Sequence, residues 1–194
     1  AIAVTLPIVL LVLDIYPLKR IRLNAGKWPM SEIGKLLVEK IPFLVLASIA
    51  ALIAPTAQGG VMRSLEDYPL APRISQALFG LTFYLWKTVI PLGLAPLYEL
   101  PELIDPLDWR FLLSGFVVIS LSIALFAGRR HWPGAVTAWI CYIVILSPVL
   151  GLVQSGPQFV ADRYSYLSCL SWALLAGAAI VVLRQSRFSN VTGM

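Results

Sequence analysis

The densest polar constellation in this chain is Asp162-Arg163-Tyr164-Ser165-Tyr166, set directly before an apolar run. An acid beside an arginine is costly in hydrocarbon but tolerated where a helix meets water. At such a mouth Arg163 can engage a headgroup, a phosphate or a neighbouring helix terminus. It can equally be an interfacial anchor paired with an acid, with Tyr164 and Tyr166 marking the boundary. Lys87 and Arg73 fall on the same expected side and could complete a pocket for an anionic lipid. Lys87 alone also reads as a snorkelling lysine, its stem along apolar surface and its ammonium in water.

The other chemistry-bearing residues are sparser. No Walker sequence, nucleotide-binding glycine fingerprint or HExxH motif occurs, and the catalytic residues stay unknown at this level. His131 sits in a basic turn, where a solvated loop residue is expected. Asp14 precedes Tyr16-Pro17-Leu18-Lys19-Arg20 and reads as a helix-end acid paired with the basic cluster that follows, with a proton relay as the alternative. Glu99, Glu102, Asp105 and Asp108 lack a matched ligand set and read as a solvated acidic loop. Cys141 and Cys169 lie in apolar runs without metal-site spacing, as buried small residues do. No metal and no cofactor is expected.

The elements that must carry these residues belong to a membrane. Of 194 residues 59% are hydrophobic and only 13% charged, where soluble domains carry about a quarter charged; mean hydropathy is +0.83. The net charge of +5 therefore points to cytoplasmic loops and anionic headgroups rather than nucleic acid. Five stretches have spanning character, namely 1–16, Leu36–Pro55, Trp109–Ala127, Pro133–Val153 and Ser165–Leu183, each near the roughly 20 residues a bilayer needs. The expected fold is an all-α membrane protein with about five transmembrane helices. Residues 1–187 form one domain and 188–194 a short cytoplasmic tail.

A sixth apolar stretch, Ile74–Leu92, decides the topology. If it crossed, the basic loop from Lys19 to Lys40 and the Arg129–Arg130 turn would lie on opposite sides, against the positive-inside rule. Read instead as an external interfacial or re-entrant helix, it leaves all of 56–108 on one side with Arg63, Arg73 and Lys87 against six acids. The nearly all-basic loops then share the other side. The N-terminus is thus expected outside and the C-terminus in the cytoplasm, in a bacterial inner membrane. Tyr68, Tyr84, Trp86, Trp109 and Trp132 are placed as interfacial aromatics would be. The chain opens on Ala1 within an apolar run, which reads as a fragment or a processed product.

Four segments carry a family resemblance. They are Ala3-Val4-Thr5-Leu6-Pro7 through Asp14 with Tyr16-Pro17-Leu18, then Leu37-Val38-Glu39-Lys40-Ile41-Pro42-Phe43, then Tyr84-Leu85-Trp86-Lys87-Thr88-Val89-Ile90-Pro91, and Ala161-Asp162-Arg163-Tyr164-Ser165-Tyr166-Leu167. In this order they resemble the C-terminal part of the membrane domain of TPR-linked glycosyltransferase-like proteins, including the TMTC-type relatives of the GT-C superfamily. The resemblance implies a polyprenyl-phosphate-linked sugar as donor and an external site. It also implies that Lys87 and Arg163 face the lipid phosphate while Asp162 orients the mouth. The family's catalytic acid characteristically lies upstream of the matched region, so an incomplete catalytic unit is expected. The alternative is a non-catalytic accessory subunit packed against a protein partner in the membrane, to which Gly115 and Ala178-Ala179 lend small-residue surfaces.

Overall fold

The computed structural model describes residues 2–20, 30–57, 69–99, 105–152 and 158–192. The described residues form six α-helices: α1 (Leu6–Ile15), α2 (Met30–Ala57), α3 (Leu70–Val89), α4 (Trp109–Ala127), α5 (Pro133–Leu146) and α6 (Ser165–Thr192). A two-stranded antiparallel ladder joins β1 (Tyr98–Glu99) to β2 (Gln158–Val160), with Tyr98 opposite Val160.

The expectation of about five spans is overturned. Among the described residues three helices are long and apolar enough to cross a bilayer: Ile33–Ile53 within α2, Trp109–Ala127 (α4), and Asp162–Val181 at the start of α6. The first expected span shrinks to the 10-residue α1 and the fourth to the 14-residue α5. At 1.5 Å per residue these reach about 15 Å and about 21 Å, short of a hydrocarbon core of about 30 Å.

Ile2–Thr5 form a 3-10 helix rather than the start of α1, and proline marks where each short helix stops. Tyr16, held before Pro17, is extended, and α1 stops at Ile15, because the residue before a proline is pushed out of the helical region. Pro148 has no N–H to return to the carbonyl of Val144, and the Ser147 hydroxyl donates to that carbonyl instead at 2.8 Å. The chain then tightens into a 3-10 turn and leaves the helix.

The segment expected as an interfacial or re-entrant helix is not among these three spans. α3 is one continuous helix packed against α4, and it forms the centre of the core. Its buried residues, Arg73, Gln76, Ala77, Gly80, Leu81 and Tyr84, follow the spacing of a single helical stripe. Gly80 lets Leu150 lie against the helix backbone, since a Cβ there would come within 2.9 Å of Leu150 Cδ2. Tyr84, expected at an interface, is fully buried, while Trp86, Trp109 and Trp132 are exposed. Tyr68 lies outside the described residues.

α5 is too short to span, yet its side chains tie the bundle together. Trp139 and Tyr142 are fully buried and form an aromatic cluster with Trp172 of α6, their centroids 5.5–6.1 Å apart. Trp139 Nε1 donates to Ser122 Oγ on α4 at 3.0 Å, and the Tyr142 hydroxyl donates to the Leu81 carbonyl on α3 at 2.6 Å. Tyr142→Phe should therefore cost about 1 kcal/mol, the net worth of one neutral hydrogen bond, read as a shifted midpoint in a mixed-micelle unfolding titration.

The outer faces of the three long helices carry exposed Leu46, Leu52, Phe116, Ile123, Leu174 and Ile180. Apolar surface on that scale would be a liability in water and suits a hydrocarbon environment. The chain is thus a helical integral membrane protein. Of the small residues, Gly115 faces Leu78 inside the bundle, and Ala178-Ala179 are exposed.

Candidate functional site

β1 and β2 decide where the polar residues meet. After α3 the chain turns back along the helix it has just left. Gly93 makes the reversal with φ of +59°, a left-handed conformation favoured by glycine. Lys87, in the last turn of α3, donates its ammonium to the carbonyl of Leu92 and, at 3.0 Å, to that of Gly93. A cation at a helix C-terminus is also favoured by the helix dipole. The same ammonium lies 5.5 Å and 5.8 Å from the ring centroids of Phe83 and Tyr98. Two of its three donors are taken by carbonyls, and among the described residues no acceptor takes the third.

The β1–β2 pairing brings Tyr98 to the start of α6, where Asp162 opens a 3-10 turn that runs into the helix. Asp162 Oδ2 accepts the Ala95 backbone N–H at 2.6 Å and faces the Tyr98 hydroxyl at 3.1 Å. That hydroxyl also lies 2.8 Å from the Gly93 carbonyl. A phenol has one hydrogen, so Gly93 O and Asp162 Oδ2 compete for it. Asp162 is 9% exposed. Among the described residues no donor reaches its other oxygen, Oδ1, which is closed off from solvent. Buried carboxylate oxygens are rarely left this way, because the missing hydrogen bond costs free energy.

Lys87 and Asp162 are therefore two ends of one frame, linked through Gly93 O and the Tyr98 hydroxyl. Tyr84 supports it from below: its hydroxyl accepts the Ala161 N–H at 3.1 Å. Burial pushes that phenol up to about 12, with the Ala161 N–H offsetting part of the rise, so it stays neutral at ordinary pH. Arg163 points outward and is exposed; its guanidinium lies 5.0 Å from the Tyr164 ring centroid and donates to the Tyr164 hydroxyl at 3.1 Å. Tyr164 packs against the core and Tyr166 is exposed.

Arg73 belongs elsewhere. It is 14 positions from Lys87, about 21 Å along α3. It is buried and donates to the Leu152 carbonyl at 3.1 Å. One turn further, Gln76 donates to the Phe159 carbonyl at 3.2 Å. These two side chains tie Leu152 and Phe159 to α3, whereas Lys87, Asp162 and Arg163 gather at its C-terminal end.

Sequence reasoning missed Tyr98, Gly93 and the supporting role of Tyr84. A tyrosine in a proline- and leucine-rich stretch is an unusual polar group, but its partner lies 64 residues away. In the acidic stretch Asp108 caps α4 by accepting the Arg110 N–H at 3.0 Å, and Asp105 accepts the Leu107 N–H at 2.9 Å; Glu102 lies outside the described residues.

A second polar cluster lies at the opposite end of the bundle. The Tyr16 ring packs on Gly134 at the start of α5, whereas Leu150, beyond the other end of α5, packs on Gly80. Asp14 is buried there and pairs with Lys40 at 2.8 Å and with Arg20 at 3.2 Å. Arg20 in turn holds Glu39 by two bonds of 2.7 and 2.9 Å. The helix-end acid thus meets its expected local base, Arg20, and also a lysine from α2. His131 is exposed in the turn between α4 and α5. Compared with family models, characterised proteins and solved structures, the chain matches none.

Proposed function

We propose that this chain is part of a GT-C-like membrane domain whose Lys87–Asp162 end binds a polyprenyl-phosphate sugar. One observation carries the reading. An ammonium with a spare N–H and a buried carboxylate with an unpartnered oxygen share one rigid frame beside apolar helices. The ammonium suits a phosphate, the carboxylate oxygen suits a sugar hydroxyl, and exposed apolar helix faces suit a prenyl tail. Arg163 stands next to Asp162 as a further cation for the phosphate. The basic bias of the other end supports an orientation with this site outside and the C-terminus in the cytoplasm.

In this reading the residues bind and orient the donor. Transfer requires a base for the acceptor hydroxyl, which the resemblance assigns to a loop upstream of the matched region. The test is retention of undecaprenyl phosphate, undecaprenyl-phosphate mannose and uncharged undecaprenol by the protein in mixed micelles. Both phosphates should bind in preference to the alcohol, and Lys87→Ala should weaken them by about tenfold or more, as loss of a charged hydrogen bond implies. Asp162→Asn should selectively weaken the mannosylated lipid. Equal retention of all three lipids would sink the proposal.

A second reading, an accessory subunit packed against a larger membrane protein, is favoured by α2. Among its described side chains only Leu36, Lys40 and Ala47 are buried, so most of its length is open to a partner. Stoichiometric recovery in a larger complex, with no preference for polyprenyl phosphates, would favour this second reading.

A further inference from the structure

The end of the bundle opposite Asp162 carries charges that the proposed donor site does not use. The packing of Tyr16 on Gly134 lays the chain after α1 beside the turn that joins α4 to α5. Both acids described at this end, Asp14 and Glu39, are occupied by Arg20 and Lys40. Among the described residues no acid pairs with Lys19, Arg129 or Arg130, and all three are exposed. Arg129 is held in place by a 2.9 Å bond to the Phe126 carbonyl at the end of α4.

Below these cations runs an apolar strip. Ile119, Ile123 and Phe126 are exposed on α4 at 56%, 65% and 46%, and their spacing of four and three residues sets them on one helix face. The strip leads directly to Arg129–Arg130, and exposed Trp132 and Leu18 flank the turn, as residues at the headgroup level do.

From this juxtaposition we infer that this end binds anionic phospholipid, with the headgroup on Lys19, Arg129 and Arg130 and an acyl chain along Ile119, Ile123 and Phe126. A soluble anion would satisfy the cations and leave the strip bare, whereas a neutral lipid would cover the strip and leave the cations unpaired. A single anionic lipid matches both. The site is independent of the donor site at the other end.

The test is native mass spectrometry of the full chain released from micelles containing equal phosphatidylglycerol and phosphatidylcholine. Phosphatidylglycerol should be retained preferentially, by about fivefold for each cation engaged. Arg129→Gln with Arg130→Gln should bring the two lipids close to parity while leaving phosphatidylcholine retention unchanged. Both arginines are exposed, so helicity should be unaffected. Should the double variant fold poorly, raising the salt concentration on the natural protein reads the same term, because screening should erase the preference. Inorganic phosphate at millimolar concentration should not displace the lipid. Equal retention by the natural protein, a preference that survives both the double variant and high salt, or displacement by phosphate alone would each overturn the inference.

Discussion

Lys40→Ala should destabilise the protein by about 3 kcal/mol in an SDS unfolding titration, the low end of the cost of leaving a buried charge unpaired, because one of its two cations remains. Lys40 stands within the spanning part of α2 with its ammonium 2.8 Å from Asp14 Oδ2, and the two side chains are only 8% and 2% exposed. Removing the ammonium leaves a buried carboxylate with Arg20 as its remaining cation. Lys40→Met combined with Asp14→Leu removes both charges, and should recover most of the loss, since an apolar pair of similar volume replaces a buried ion pair at little net cost. Equal losses in the single and double variants would show that packing rather than charge holds α2.

The same pair sets a pH dependence. Burial by itself raises the pKa of Asp14, and hydrogen bonds and charge from Lys40 and Arg20 more than reverse that, leaving the carboxyl below its ordinary value. A depressed acid contributes stability that is present above the unfolded-state pKa, about 3.9. That contribution is lost as pH falls through the lower folded value. The contact between α1 and α2 should thus hold through neutral pH and loosen below about pH 4. A disulfide-trapping or fluorescence-quenching pair across the two helices would read this, and Asp14→Asn should flatten the acid-dependent part.

Gly151→Ala should cost about 3 kcal/mol, combining two separate effects. Gly151 has φ of +84°, and a left-handed conformation costs a non-glycine residue about 1–2 kcal/mol. The new Cβ would also lie 2.5 Å from Gln76 Nε2 and 2.6 Å from its Cδ. Gln76 is 1% exposed and cannot swing into open space. It would have to give up the 3.2 Å bond to Phe159 O, and a buried polar group left unsatisfied costs about 1–3 kcal/mol. Gly80→Ala should be milder, because its Cβ meets only the far end of the flexible Leu150 side chain at 2.9 Å. A Gly151→Ala midpoint equal to that of the natural protein would show that the backbone at Gly151 gives way freely beside Gln76.

Where the chain is apolar for some twenty residues without a backbone break, its long helices could be read directly. The expected spans at Leu36–Pro55, Trp109–Ala127 and Ser165–Leu183 correspond closely to Ile33–Ile53, Trp109–Ala127 and Asp162–Val181. The two spans that fail are apolar in side chain but irregular in backbone: Ile2–Thr5 form a 3-10 helix ahead of the 10-residue α1, and 133–153 is interrupted at Pro148. Hydropathy registers the side chains and not the missing N–H. For α3 the loop charges argued against a crossing, and it is not among the three spans. Its place in the core was not legible, because the carbonyls of Leu152 and Phe159 that allow Arg73 and Gln76 to be buried come from 79 and 83 residues further along the chain.

The sequence by itself determined that this is a membrane protein, located its three long apolar helices among five expected spans, and indicated that Asp14 would meet a neighbouring base. It also singled out Asp162 and Arg163 at the entry to α6. Each of these rests on composition or on neighbours within a few residues. Only the tertiary structure decided that Arg73 serves the core and that Lys40 completes the Asp14 pair. It alone set Asp162 against Ala95 and Tyr98, with Lys87 beside them and one buried carboxylate oxygen that no described residue donates to. The physical reason is that burying a polar group requires a partner at hydrogen-bonding distance. In this chain those partners are supplied by segments far apart in sequence, where no local pattern records them.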